Sequence, residues 1–187
     1  MTLGLDIDRR GRLNVTWTRT DIETGAFVED RTFLEKKKGE SLRHVAMKLL
    51  AYLVWYDPAL EIERDLGQHY KPDVVSVDLT GQPLIWMDCG QTSAKKLETI
   101  VKKNRETRFW FVKPTPGEME KFARVVAKRV VDPARVEFVS FTNNLAMWTA
   151  ERLHSRHNVV LSLAGDQLWV ELDGEMIESE IVRYAFG

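Results

Sequence analysis

The spacing of apolar residues along the chain predicts strands and helices in alternation. Polar and apolar residues alternate at 14–18 and at 26–28, on either side of a polar turn at 21–25, which is typical of a β-hairpin. Apolar residues three and four positions apart then mark one face of a helix from Glu40 to Trp55. Asp57-Pro58 ends this helix, because a proline disfavours helical backbone in the residue before it.

The middle of the chain predicts a core with the element order α-β-β-β-α-β, counting from that helix. The further elements are a strand at 60–64, strands at 74–77 and 84–87 joined by a turn at 80–83, a helix at 93–104 and a strand at 108–112. The strand at 108–112 is almost continuously apolar, which is typical of a central strand covered on both faces.

The rest of the chain adds elements at both ends of this core. After Pro116 the pattern predicts a helix, a strand at 136–141, a helix at 144–153 and strands at 159–163, 168–172 and 177–184. We therefore predict a single domain over 1–187 of the α+β class, with an α/β-like core and a mixed sheet. Its core spans about 40–112, between an N-terminal hairpin in 1–38 and a C-terminal α/β extension in 113–187.

Composition excludes several classes of protein. The 187 residues are 44% hydrophobic and 29% charged, as in soluble globular domains. The longest apolar segment, Val45 to Tyr56, contains Lys48 and is too short for a membrane span. Charged residues from Asp6 onward do not fit a secretory signal, and a single cysteine, Cys89, suits a reducing compartment. We therefore expect a cytoplasmic protein that has no membrane partner.

The formal net charge of −1 hides an uneven distribution. The segment 95–129 holds 11 basic and 4 acidic residues, while both flanking parts are acidic. A local surplus of this kind can attract the phosphates of a nucleic acid even when the whole chain is near neutral. Two helices with solvated basic faces would give the same composition, so both interpretations stay open.

Two carboxylates flank the predicted hairpin of strands 74–77 and 84–87. If the turn at 80–83 closes symmetrically, Val75 lies opposite Asp88, and Asp73 is a diagonal neighbour of Asp88 on the same face, with Cβ atoms roughly 7–8 Å apart. Such a pair suits Mg²⁺, although two strand-edge residues paired with water and a lysine would look the same. The alternation turns Cys89 to the opposite, apolar face, which favours a packing role over a nucleophilic one.

These features together resemble those of a known superfamily. A Pro72-Asp73 dyad, a hairpin and a second acid on an αβββαβ core are similar to the PD-(D/E)xK nucleases. Within that superfamily the sequence resembles the YaeQ family, well over about 26–112 and weakly beyond. The matching segments are Gly39-Glu40, Met47 to Leu53, Pro72-Asp73, Trp86 to Gly90 and Lys95-Lys96.

The resemblance implies a role for each matching residue. Asp73 and Asp88 would bind Mg²⁺ or Mn²⁺, and Glu40 would complete the site unless it is simply a carboxylate favoured by the helix N-terminus. The superfamily lysine, two residues after the second acid, is replaced by Gly90. Lys95 or Lys96 from the next helix would then stabilise the charge on the attacked phosphate.

Two functions follow from this resemblance. The first is a metal-dependent phosphodiesterase or nuclease. The second, favoured by Gly90, is a catalytically inactive nuclease-fold protein that binds nucleic acid or a protein partner. A purely structural protein that makes contacts through its acidic C-terminal strands is a third possibility.

The histidines give weaker signals. His154 and His157 are three residues apart, as in a metal pair on a helix, but no third ligand is near in sequence, which favours a surface role. His44 and His69 are isolated in the sequence. Most of the tryptophans fall within predicted strands and helices, which favours core packing over base stacking.

Overall fold

The computed structural model describes residues 11–130 and 132–184. Residues 1–10, which include Asp6 and the start of the predicted segment 1–38, lie outside the described residues. Four α-helices occur within the described part of the chain: α1 (Leu42–Val54), α2 (Ala94–Lys103), α3 (Pro116–Val126) and α4 (Leu145–Arg152). The strands are β1 (Arg12–Asp21), β2 (Phe27–Glu35), β3 (Glu61–Ile62), β4 (Val74–Val77), β5 (Pro83–Cys89), β6 (Arg108–Val112), β7 (Val136–Phe141), β8 (Arg156–Ala164), β9 (Gln167–Leu172) and β10 (Glu175–Arg183).

These elements follow the order predicted from the sequence. The central segment runs α1-β3-β4-β5-α2-β6, and β1 pairs with β2 as an antiparallel hairpin. Side-chain caps fix the starts of three helices: the hydroxyls of Ser41, Ser93 and Thr115 each accept a backbone N–H two or three residues into α1, α2 and α3. Local sequence therefore accounts for where most elements begin.

The ten strands form one mixed sheet in the order β2-β1-β8-β9-β10-β7-β6-β5-β4-β3. The pairs β1–β8, β5–β6 and β6–β7 are parallel, and the remaining pairs are antiparallel. The sheet curves until it is nearly closed around α1, which packs against β2 and β8 as well as against β3, β4 and β5. Ten consecutive residues of α1, Val45–Val54, are buried as a result.

Two hydrophobic cores lie on opposite faces of β5 and β6. Met87 and Cys89 face the core around α1, while Trp86 faces the second core, beneath α2 and α3. Asp88 shares the face of Trp86, so Cys89 and Asp88 point to opposite sides, as the alternation predicted. Cys89 is a buried, unbridged thiol whose pKa is raised well above its usual value by burial.

The predicted register of the β4–β5 hairpin is wrong by two residues. Val74 lies opposite Met87 and Val75 opposite Trp86, and the Asp73 N–H donates to the Met87 carbonyl at 3.0 Å. Asp73 therefore lies across from Asp88 rather than diagonal to it.

The turn explains this error. The Asp78 carboxylate accepts the backbone N–H groups of Thr80 and Gln82, so the loop spans Asp78–Gln82 rather than 80–83. The strand pairing shifts by one residue between Ser76 and Val77, and this irregularity joins the longer loop to the regular ladder.

The surface position predicted for His154 and His157 is confirmed for the exposed His154 and is wrong for His157, which is buried. The last turn of α4 ends at Arg152, so His154 lies in the connection and His157 on β8, where it is buried. No helix in residues 11–130 and 132–184 is long and apolar enough to cross a membrane.

Candidate functional site

Asp73 and Asp88 lie side by side at one end of the β4–β5 hairpin, Asp73 directly before β4 and Asp88 on β5. Their side chains are only 14% and 2% exposed. The Oδ2 atom of Asp73 accepts the backbone N–H of Cys89 at 2.7 Å, and its Oδ1 atom lies 3.0 Å from Nε2 of His44. Asp73 is therefore held by one backbone group of β5 and one side chain of α1.

Asp88 is held by the helix that follows it. Its Oδ1 atom lies 2.6 Å from Nζ of Lys96, and its Oδ2 atom accepts the hydroxyl of Thr92 at 2.7 Å. Gly90, with φ +74°, turns the chain sharply after β5, in a conformation that favours glycine. The Ser93 cap then places Lys96 in the first turn of α2, directly over Asp88.

The two lysines proposed from the sequence lie in different surroundings. Lys96 joins Asp88, and its ammonium lies 6.0 Å from the centre of the Tyr70 ring. Lys95 is exposed on the same helix, where its carbonyl accepts the Thr99 hydroxyl. Lys96 is therefore the one brought to the carboxylate pair.

The pKa values of the two carboxylates move in opposite directions. Burial raises the pKa of Asp88, and the neighbouring negative charge of Asp73 raises it further, against the opposing effect of Lys96. Burial acts in the same way on Asp73, but hydrogen bonds from His44 and Cys89 together with the charges of His44 and Lys96 outweigh it and lower its pKa. The two groups are thus close enough to disfavour two unpaired negative charges, and Lys96 acts on both.

Glu40 joins this arrangement through His44. The Glu40 Oε1 atom lies 3.4 Å from Nδ1 of His44, whose other ring nitrogen faces Asp73. Its Oε2 atom accepts the backbone N–H of Lys37 at 2.9 Å. Glu40 therefore contacts side chains of the cluster and does not cap α1, whose cap is Ser41. The hydrogen bond to Asp73 is the main cause that raises the pKa of His44.

A fully buried lysine completes the group. Nζ of Lys48 lies 2.6 Å from carboxylate oxygens of both Glu40 and Glu63, and Glu63 also pairs with Lys37 at 3.0 Å. Burial alone would lower the pKa of Lys48, but the two carboxylates raise it overall. We call the set Glu40, Glu63, Asp73, Asp88, His44, Lys48 and Lys96 the carboxylate cluster.

Sequence reasoning missed three members of this cluster. In the sequence His44 is isolated, Lys48 interrupts an apolar run and belongs to one segment of the resemblance, and Glu63 is part of no motif. Residues 40, 44 and 48 are spaced by four, so they follow one side of a helix, and this spacing was an available signal. Glu63 has φ +57° in the connection after β3, and no local pattern indicates its position.

A cleft of about 780 Å³ opens beside the cluster, between α2 and α3. Thr92 and Lys96, which hold Asp88, form one wall. Lys113, Lys121 and Phe122 lie on the opposite side. The remaining lining residues are Tyr70, Gly90, Gln91, Ser93, Ala94, Glu118, Val125 and Val126. Part of the basic segment 95–129 thus faces this cleft.

A second group of candidate ligands lies elsewhere in the sheet. One donor atom each from His154, His157 and Asp173 lies within 4.8 Å of the others, and we call this set the imidazole cluster. Nε2 of His157 accepts the His154 backbone N–H at 2.7 Å, so the ring proton belongs on Nδ1, which donates to Asp173 at 2.7 Å. A metal on Nδ1 would have to displace that proton, so these contacts favour a structural role.

Comparison with known proteins identifies the family. The sequence model described as YaeQ protein matches residues 13–181. The chain belongs to the YaeQ family. No curated protein matches the chain at a significant level.

Solved structures agree with the YaeQ assignment. The structure of YaeQ protein from Xanthomonas axonopodis pv. citri superposes with a TM-score of 0.81 at 15% identity, covering 93% of this chain and 97% of that one. The YaeQ protein from Pseudomonas syringae gives 0.75 at 18% identity, covering 95% and 97%. At these identities the likeness establishes a shared YaeQ fold over nearly the whole chain.

The donor atoms of the carboxylate cluster suit a hard divalent cation. Asp73 and Asp88 offer oxygen ligands, and each hydrogen-bonded oxygen keeps a further lone pair. Mg²⁺ commonly takes one or two carboxylates and fills its other positions with water and phosphate oxygens. A cation would also relieve the repulsion that raises the pKa of Asp88.

Proposed function

We propose that this YaeQ chain is a metal-dependent phosphodiester hydrolase that acts on nucleic acid at the carboxylate cluster. The observation that carries the proposal is the position of Lys96, whose ammonium lies 2.6 Å from Asp88 beside Asp73, at the wall of a basic cleft. Paired carboxylates with an adjacent lysine suit metal-dependent phosphodiester hydrolysis, in which a cation and a positive side chain stabilise the charge on the phosphate.

Each residue has a distinct role in this proposal. Asp73 and Asp88 would hold Mg²⁺ or Mn²⁺, which would supply Lewis-acid chemistry at the phosphate. Lys96, from the helix after Gly90, exchanges its contact with Asp88 for the phosphate and stabilises the negative charge that develops there. Glu40 is a positioning residue, because it reaches the site through His44.

The test is cleavage of single-stranded and duplex DNA and RNA with millimolar Mg²⁺ or Mn²⁺. We expect Asp88→Asn and Lys96→Met each to lower the rate about 10²–10³-fold, the usual effect of removing one charge-stabilising group. Lys95→Met removes the same charge from the neighbouring exposed position and is the matched control, expected to stay within about threefold of the wild type. Equal rates for wild type and Asp88→Asn would reject the proposal.

A second candidate is a protein that binds nucleic acid without cleaving it. Two observations favour it: Gly90 stands at the motif lysine position, and the acids of the cluster already have cationic partners. Those partners are Lys48 for Glu40 and Glu63, Lys96 for Asp88 and His44 for Asp73. Calorimetric titration with Mn²⁺ separates the two candidates, since this second one requires salt-dependent nucleic-acid binding and no metal binding at millimolar concentration.

A further inference from the structure

Lys113 is a buried cation that has no acidic partner. It follows β6 and is only 4% exposed. Its ammonium donates to the Gly90 carbonyl at 2.6 Å and lies 3.8 Å from the centre of the Phe122 ring. Among residues 11–130 and 132–184, no carboxylate lies within ion-pair distance of it.

The contrast with Lys48 shows why this is unusual. Both side chains are buried, but Lys48 sits between two carboxylates, whereas Lys113 has one carbonyl and an aromatic face for its three N–H groups. A buried charge is costly unless it is paired. Accordingly, burial lowers the pKa of Lys113 to about 8. An anionic ligand would supply the partner that the protein does not.

The cleft that Lys113 lines has two chemically different sides. Lys121 adds a second ammonium, and Lys96, which pairs with Asp88, adds a third, while Glu118 is the one acid among the lining residues. Phe122 and the 60% exposed Val125 form an apolar surface on α3. A volume of about 780 Å³ is within the usual range for small-molecule sites. The ligand that fits both sides carries a phosphate and a flat apolar group, as a nucleotide does.

Duplex nucleic acid cannot make both contacts. Lys113 is recessed, so the phosphate has to enter the cleft, while in a duplex the bases stay stacked inside a wide rod. A single strand can place a phosphate on a lysine and stack its base on an aromatic side chain at the same time.

We propose that the cleft between α2 and α3 binds one nucleotide of a single-stranded nucleic acid, with its phosphate on Lys113 and its base against the apolar side formed by Phe122 and Val125. The choice of nucleic acid as the ligand of this site rests on the proposed function. It places the bound nucleotide next to Lys96 and therefore next to Asp88.

The test measures binding in EDTA, so that hydrolysis plays no part. The probes are fluorescein-labelled short oligothymidylate, oligouridylate and a duplex of equal length, followed by anisotropy. We expect the single strands to bind at least about tenfold more tightly than the duplex. Lys113→Met should weaken single-strand binding at least about tenfold, and Lys95→Met, the charge-matched control, only about two- to threefold.

A second variant protects the test against a folding defect. Phe122→Leu keeps an apolar side chain on α3 but removes the aromatic face, and it should weaken binding about fivefold or more, as loss of one stacked base does. Circular dichroism and thermal unfolding confirm that each variant is folded. Equal affinity for duplex and single strand, or equal losses in Lys113→Met and Lys95→Met, would overturn the proposal.

Competition identifies the part of the ligand that binds. Thymidine monophosphate should displace the oligonucleotide at concentrations where inorganic phosphate does not, because only the nucleotide reaches the apolar side. Equal displacement by both would overturn the proposal. The proposed catalytic function alone is rejected if no condition gives hydrolysis but binding still depends on Lys113. This site alone is rejected if the protein hydrolyses nucleic acid but binding does not depend on Lys113.

Discussion

The carboxylate cluster and the imidazole cluster both bring histidines close to acidic side chains, but their polar atoms have different partners. In the carboxylate cluster most contacts join side chain to side chain, such as Lys96 with Asp88 and His44 with Asp73. In the imidazole cluster Asp173 accepts a backbone N–H of β8, and His157 accepts another from His154. A side-chain partner can move aside for a ligand, whereas a backbone partner is fixed by the fold.

The kind of partner indicates which cluster can bind a ligand better than the residue types do. Both clusters meet the simple criterion of several possible ligands within reach, and only the imidazole cluster forms a compact three-donor group. The carboxylate cluster instead adjoins a cleft and contains carboxylates whose pKa values are shifted in opposite directions. Perturbed groups beside an open cleft are the better indication of a functional site.

The largest expected effect tests how far the carboxylate cluster depends on its buried cation. Lys48→Met leaves Glu40 and Glu63 buried without their shared partner, and breaking a buried ion pair from one side costs about 3–5 kcal/mol. Urea unfolding of the variant measures this loss in the free energy of unfolding. Lys38→Met, at an exposed lysine in the connection before α1, is the control and should change it by less than about 0.5 kcal/mol. Equal stabilities would contradict this account of Lys48.

A smaller effect tests the backbone contacts of the imidazole cluster. His157→Phe fills a similar volume but leaves the His154 N–H without its acceptor, which should cost about 1–3 kcal/mol. His154→Phe, at the more exposed ring of the pair, is the matched control and should cost about 0.5 kcal/mol. A larger loss in His154→Phe than in His157→Phe would show that the cluster is held together differently.

The smallest effect is the pH dependence of the same cluster. Burial is the main cause that lowers the pKa of His157, so the folded protein binds this proton less tightly than the unfolded chain does. The stability that His157 contributes is therefore complete above its unfolded pKa of about 6.5 and is lost as the pH falls through the lower folded value. The difference in free energy of unfolding between wild type and His157→Phe should shrink from about pH 8 to about pH 5. A difference that grows would reverse the assigned direction.

Local patterns predicted the elements of this fold but not every contact between them. The order α1-β3-β4-β5-α2-β6 follows from periodicity, from caps such as Ser93 and from the stop at Asp57-Pro58, all of which act within a few residues. The register of the β4–β5 hairpin was missed because it depends on how the Asp78 side chain closes the turn. With the turn closed by this side chain, Asp73 lies directly across from Asp88 and not in the predicted diagonal position.

For the candidate site, too, the sequence predicted some of the residues but not how they are arranged. Asp73, Asp88, Lys95 and Lys96 were predicted from spacing and resemblance. Strand alternation placed Cys89 correctly on the opposite face. The choice of Lys96 over Lys95 was not predictable, because both lie in the first turn of α2 and only the packing of that helix decides which one faces the sheet.

The sequence by itself determined which segments are helices and strands, where the acids lie and where the positive charge is concentrated, because hydrophobic periodicity, capping and composition are local properties. The tertiary structure alone decided that Lys48 is enclosed by Glu40 and Glu63, that Lys113 is buried without an acid, and that a cleft separates α2 from α3. The first fact depends on the sheet that curves around α1, and the other two depend on how α2 and α3 pack on the opposite face of β5 and β6. In each case residues far apart in the chain come into contact, and no local pattern in the sequence indicates this.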